Sequence, residues 1–172
     1  MTTFAIWAKH GVLRHYLWVT IILLIAAFGA ACLLPLDTWQ ERLGILFIPF
    51  AFLMAIQKQK TEELHLFKQL FTEFNRRYDE VNEGLNAIPK EPADSPLSPE
   101  ERNLLFNYFN LCGEEYLFYS QGYIYPEVWK AWRNGMIVFY GNSRIQELWD
   151  EESKTDSYYG FKPELFLKPY LK

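Results

Sequence analysis

The residues able to carry acid–base, nucleophilic or metal chemistry are few and poorly placed for it. The three histidines are His10, His15 and His65, and the two cysteines are Cys32 and Cys112. No histidine has a metal ligand or catalytic base at a recognisable spacing, so neither a metal nor another cofactor is expected. Glu114 and Glu115 are adjacent, which on a helix turns them apart and argues against a paired-carboxylate site. Every carboxylate is read as part of a solvated face. There is no glycine-rich phosphate loop and no nucleophile elbow. What stands out is Arg133-Asn134, a polar pair inside a tryptophan-rich apolar stretch. It could contact RNA phosphate. The favoured reading is a hydrogen-bonding pair that fixes helix packing or an oligomer contact.

The elements that must position such residues begin with two apolar blocks. Tyr16 to Leu34 carries no charge and, at 1.5 Å per residue, is long enough as a helix to cross roughly 30 Å of hydrocarbon. Leu43 to Ile56 is shorter and holds Pro49, which predicts a kink or a place on a watery path. A short second span competes here with a helix buried in protein. Lys9 and Arg14 precede the first block, Lys58, Lys60 and Lys68 follow the second, and the turn between them holds Asp37, Glu41 and Arg42. The excess of bases at the outer ends predicts both termini in the cytoplasm and the turn outside. Trp18 and Trp39 fall where interfacial aromatics are expected. Ala26 with Ala30, and Ala27 with Ala31, form small faces one turn apart that suit close helix approach and self-association.

A rival reading starts from Gly29-Ala30-Ala31-Cys32, which resembles a lipoprotein cleavage box. Against it stand glycine in place of the usual leucine three residues before the cysteine, a long apolar core and the second apolar block. Cys112 has no evident partner, and no disulfide framework is indicated.

Beyond Gln57 the pattern becomes periodic. Leu64, Phe67, Phe71, Phe74, Tyr78, Val81 and Leu85 recur at steps of three and four. The helix they define is expected to continue out of the second apolar block and to end between Gly84 and Pro89. So aromatic a stripe suits packing against its own domain better than a dimer zipper. Pro89 to Pro96 reads as a linker. Ser98-Pro99-Glu100-Glu101 is a helix start with a serine cap, proline at the first position and acids facing the positive end of the dipole. That helix carries Leu105, Phe109, Cys112, Tyr116 and Tyr119 and stops near Gln121-Gly122. Pro126 opens another, with Trp129, Trp132, Met136 and Phe139 on one face, closing at Gly141. A third, Ser143 to Glu152, turns Ile145, Leu148 and Trp149 inward. With no strand alternation, the fold class is all-α. A membrane-anchoring hairpin (1–57) leads through an amphipathic helix (58–88) and a linker (89–97) to a cytoplasmic helical domain (98–172). Aromatics make up 18% of the 172 residues, enough for a small domain to bury a dense core. The net charge of -4 shows no broad basic surface, and stable nucleic-acid binding is not expected.

The two-block anchor, the helical domain and the run Glu114-Glu115-Tyr116 leading to Pro126-Glu127-Val128-Trp129-Lys130-Ala131-Trp132 resemble small bacterial membrane proteins of phage-defence loci. In particular they resemble the membrane-anchored accessory proteins of type VI-B CRISPR systems. That resemblance spans nearly the whole chain. It implies a divergent HEPN-type domain, work beside an RNA-guided nuclease, and a role in antiviral defence. A HEPN nuclease motif sets a polar residue after its arginine and a histidine four to six residues after that. Here that register after Arg133-Asn134 is filled by Val138, Phe139 and Tyr140, and no arginine of the chain has a histidine so placed. The proton-transfer partner is missing. The expectation is therefore a non-enzymatic, membrane-anchored accessory or effector that forms a homo-oligomer in lipid and could open a pore. In that assembly Phe67, Phe71, Phe74, Tyr78, Trp129 and Trp132 are packing or interface residues, and Pro49 is the pore or kink residue. The alternatives are a membrane-tethered ribonuclease of divergent HEPN type and a non-catalytic scaffold for a cytoplasmic partner.

Overall fold

The computed structural model describes residues 3–35 and 38–167, with side chains from His15 onward. Lys9, His10, Arg14 and Asp37, invoked above for charge placement or chemistry, have their side chains outside the described residues, as does the segment 168–172. The described chain is all-helical. Its elements are α1 (Thr3–Leu33), α2 (Trp39–Ala87), α3 (Pro99–Ser120), α4 (Pro126–Tyr140), α5 (Ser143–Glu152) and α6 (Pro163–Leu167), with 3-10 turns at Ile88–Lys90 and Ser153–Thr155. It divides into two compact units, Met1–Leu66 and Phe67–Lys172, and the division falls inside α2.

The first unit holds a pair of helices long and apolar enough to cross a membrane. The first candidate span is His15–Leu33, and the second lies in the helix that starts at Trp39. His15, at φ -111° and ψ 17°, breaks the helical dihedrals and separates residues 3–14 from the apolar run. At the other end of α1, the Arg42 guanidinium donates 2.8 Å to the Ala31 carbonyl, one of the terminal acceptors that helix geometry leaves open. Lys60 lies 4.1 Å from the centre of the Tyr16 ring. These contacts fix an antiparallel register in which α2 runs back along α1. From Arg42 to Lys60 the helix rises about 27 Å, so the charges bracketing the second block are spaced by nearly a bilayer core. Thr38 and Glu41 sit as N-cap and third residue of α2 and exchange capping-box contacts, both long at 3.4 Å. Pro49 lies within α2 and is buried. Thr20, Ala27 and Ala31 form the buried stripe of α1, whereas Ala26 is exposed and Ala30 half-buried.

The second unit is a helical bundle around an aromatic core. Phe74 and Leu85 of α2, Leu105, Tyr108, Phe109, Leu111 and Cys112 of α3, Trp129 and Met136 of α4, and Ile145, Leu148 and Trp149 of α5 make up most of it. Phe67, Tyr78 and Val81 pack against that core, as a stripe facing its own domain should, while Phe71 stays partly exposed. Trp149 is the hub, stacked on Phe109 at 4.4 Å and within 5.7 Å of Tyr108 and 5.0 Å of Phe166. The start of α3 forms as its sequence dictates: the Ser98 hydroxyl accepts from the Glu101 N–H (3.1 Å) and the Glu101 carboxylate accepts from the Ser98 N–H (2.7 Å). Asn142 caps α5 by accepting from the Arg144 and Ile145 N–H groups.

Two parts of this unit lie outside the sequence reading. The segment after α5 returns to the core, burying Tyr158, Phe161 and Phe166. A Cβ on Gly113 would stand 3.2 Å from the Cβ of Tyr158, so glycine in α3 lets that segment approach closely without displacement. The second is Arg144, 5% exposed. It donates to the carbonyls of Ser95 (2.9 Å), Ile88 (3.0 Å) and Pro96 (3.2 Å) and to the Glu101 carboxylate (2.9 Å). One guanidinium thus fastens the proline-rich linker to the first turn of α3 and to α5.

Candidate functional site: the Glu115 pocket

The chemistry-bearing residues of the second unit meet where α2, α3 and α4 come together. Helical spacing decides which of them do. On α3, Tyr108 and Glu115 are two turns apart and share a face; on α2, Asn75 and Tyr78 are one turn apart; on α4, Ala131, Trp132, Gly135 and Met136 form one face. Together they line a partly open cavity of about 200 Å³.

Glu115 is buried, which corrects the expectation that every carboxylate lies on a solvated face. Its neighbour points elsewhere and is half-buried. Glu114 takes a two-pronged ion pair from Arg77 of α2, at 2.5 and 3.3 Å. The divergence of adjacent helical residues, which rules out a shared carboxylate site, is the same geometry that sends Glu115 inward. Burial pushes the Glu115 carboxyl up from 4.5 to about 8, Arg77 partly opposes this, and Glu114 adds to it. Burial likewise raises the Tyr78 phenol, and raises the Tyr108 phenol and the Cys112 thiol strongly. Near neutral pH Glu115 is therefore mostly a protonated carboxylic acid in an aromatic setting, able to donate one hydrogen bond or to lose its proton to a suitable cation.

The remaining predicted residues scatter. Arg133 is buried (8% exposed) and engaged, while Asn134, the next residue, is exposed, so the two occupy different environments on α4. Trp129 is buried and stacks on Tyr119 at 4.9 Å. Trp132 is half-buried, flanked by Phe71 (6.1 Å) and Phe74 (5.7 Å), and with Tyr78 lines the cavity. All three histidines precede Phe67 in sequence, so none belongs to the second unit. Among the described residues no group of three or more His, Cys, Asp or Glu side chains is arranged to hold a metal ion. Both cysteines are free.

Comparison with protein-family models, with curated proteins and with solved structures returns no match to this chain.

Proposed function

We propose that this is a membrane-anchored binding protein: the α1–α2 hairpin crosses the bilayer and the second unit acts in the cytoplasm as a ligand- or partner-binding module rather than as a nuclease. One observation carries the anchoring. The outward faces of the first unit are apolar, with Trp18 and Ile25 each 68% exposed and Phe47 63% exposed, and such a surface is stable in lipid and not in water. Arg42 and Lys60 stand at opposite ends of that surface, where the two interfaces would lie. The binding role rests on a domain that has a partly open cavity but no histidine to serve a HEPN-type reaction. An accessory role beside an RNA-guided nuclease, implied by the sequence resemblance, is compatible with a module that binds and does not cleave. Burial of Ala27, Ala31 and Pro49 within one chain favours a self-contained hairpin anchor over a pore lined by Pro49.

The test is extraction combined with site-directed labelling. The protein should stay with the membrane pellet in alkaline carbonate. A cysteine at Thr38, in a background without the native cysteines, should react with an impermeant maleimide from the outer face of spheroplasts. Release by carbonate, or labelling only after the membrane is opened, would refute the hairpin.

A further inference from the structure

We propose that the cavity between α2, α3 and α4 is a binding site for an organic cation, an alkylammonium or guanidinium head group, with the Glu115 carboxylate as counter-ion and Tyr78, Tyr108 and Trp132 as its aromatic walls. The proposal rests on the reading of the second unit as a binding module, and is independent of the membrane anchor.

The first observation is the state of the carboxyl. Glu115 is 5% exposed, yet no hydrogen bond reaches it from the described residues. No fully buried side-chain oxygen in the described structure lacks a partner, so its oxygens open onto the cavity it lines. A native carboxyl without an internal partner calls for an explanation, and a ligand is one. The nearest cation cannot serve, because Arg77 is committed through both nitrogens to Glu114.

The second observation is the space. A Cβ on Gly135, in the interior of α4, would meet nothing within 4 Å. Glycine inside a helix is unfavourable relative to alanine, and here it keeps the cavity wall open. At about 200 Å³ the cavity exceeds the roughly 150 Å³ that accommodates a benzene ring. A trimethylammonium or guanidinium group fits that room.

The third observation selects the sign of the ligand. α4 presents no titratable side chain to the cavity, and the lining residues include one acid and no base. Aromatic side chains with one carboxylate attract a cation and disfavour an anion, and two of the walls, Trp132 and Tyr108, are held by edge-on contacts with Phe74 and Phe139. Binding a cation to the ionised carboxyl expels a proton, so affinity must rise with pH. Of the other groups facing Glu115, Arg77 is raised and stays charged, and Tyr78, Tyr108 and Cys112 are pushed above their already alkaline values.

The experiment is calorimetric titration of the full chain in a maltoside detergent, since a choline-headed detergent would compete. The probes are tetramethylammonium, choline and N-acetylarginine amide, which keep their charge from pH 6.5 to 9, and 3,3-dimethylbutanol as the neutral counterpart of choline. Saturable one-to-one binding of a cation, strengthening about 30-fold between pH 6.5 and 9, is expected for a carboxyl titrating at about 8. Glu115→Gln should abolish both the binding and its pH dependence. Gly135→Leu should abolish binding by filling the space with the acid still present. Preference for the arginine amide would identify the source as a protein side chain, and preference for choline a free quaternary amine. Folded wild type that binds none of the cations at pH 9, or that binds the neutral alcohol as well as choline with no loss in Glu115→Gln, would overturn the proposal. Either result leaves the anchoring test untouched.

Discussion

Two buried ionisable side chains, Glu115 and Arg144, set the behaviour of the second unit, and they act in opposite ways. Glu115 titrates at about 8 in the folded chain against an ordinary 4.5. The unfolded chain therefore loses that proton first as pH rises. The stabilisation is complete below 4.5 and is lost progressively up to about 8, at a slope of up to ~1.4 kcal/mol per pH unit. Glu115→Gln should remove that slope and leave the variant more stable than wild type at pH 8, as read from thermal midpoints at several pH values by tryptophan fluorescence; parallel curves would show that the carboxyl is not buried. Arg144 is the stabilising counterpart, because its guanidinium donates to the carbonyls of Ile88, Ser95 and Pro96 and to the Glu101 carboxylate. Arg144→Met strips these partners and should cost about 3–5 kcal/mol in denaturant unfolding. Arg144→Lys should recover only part of that, since an ammonium cannot reproduce the fork. Neither residue was singled out in the sequence, although one signal existed for Glu115. It lies three residues beyond Cys112 and seven beyond Tyr108, on the apolar stripe of α3, so of two adjacent glutamates one had to turn inward. Arg144 carried no such signal, because its acceptors lie 43 to 56 residues earlier in the chain.

Among the elements, those with local punctuation were legible and those held by distant packing were not. The starts of α3, α4 and α5 fall at Pro99, Pro126 and Ser143, where a cap or proline marks them, and α2 ends at Ala87 before Pro89 as its stripe implied. The Ser98 capping box can be tested directly. Ser98→Ala should lower stability by about 1 kcal/mol, and the loss should show as faster amide exchange in the first turn of α3 before anywhere else. α6 had no comparable mark. It is five residues long, too short to form alone, and its Phe166 is fixed by Trp149, Tyr140 and Phe161 at 5.0 to 5.4 Å. The loop before it turns through left-handed backbone at Asp156, Tyr159 and Gly160. For tyrosine that conformation is unfavourable. It persists because Tyr158 and Phe161 on either side are buried and the Tyr158 hydroxyl donates to Glu152 (3.1 Å), a combination that residue spacing alone does not announce.

For the whole molecule, the two small faces of α1 differ in whether the chain itself covers them. Both alanine pairs have the same spacing in the sequence, and only burial separates them. Ala27 and Ala31 lie on the stripe already covered, with the Ala31 carbonyl tied to Arg42. Ala26 is exposed, and a Cβ on nearby Gly29 would meet nothing within 4 Å. Enlarging the two faces should therefore have different consequences. Ala31→Leu forces bulk into the hairpin and should loosen it at a cost typical of overpacking, about 1–3 kcal/mol, seen as new protease cleavage between α1 and α2 in detergent-solubilised protein. Ala26→Leu should leave the hairpin intact. If self-association uses the Ala26, Gly29 and Ala30 face, this same substitution should shift the micelle-corrected mass from oligomer to monomer, because close approach of membrane helices depends on small residues. A mass unchanged by Ala26→Leu but reduced by Ala31→Leu would invert the assignment, placing the oligomer contact on the face that the single chain buries.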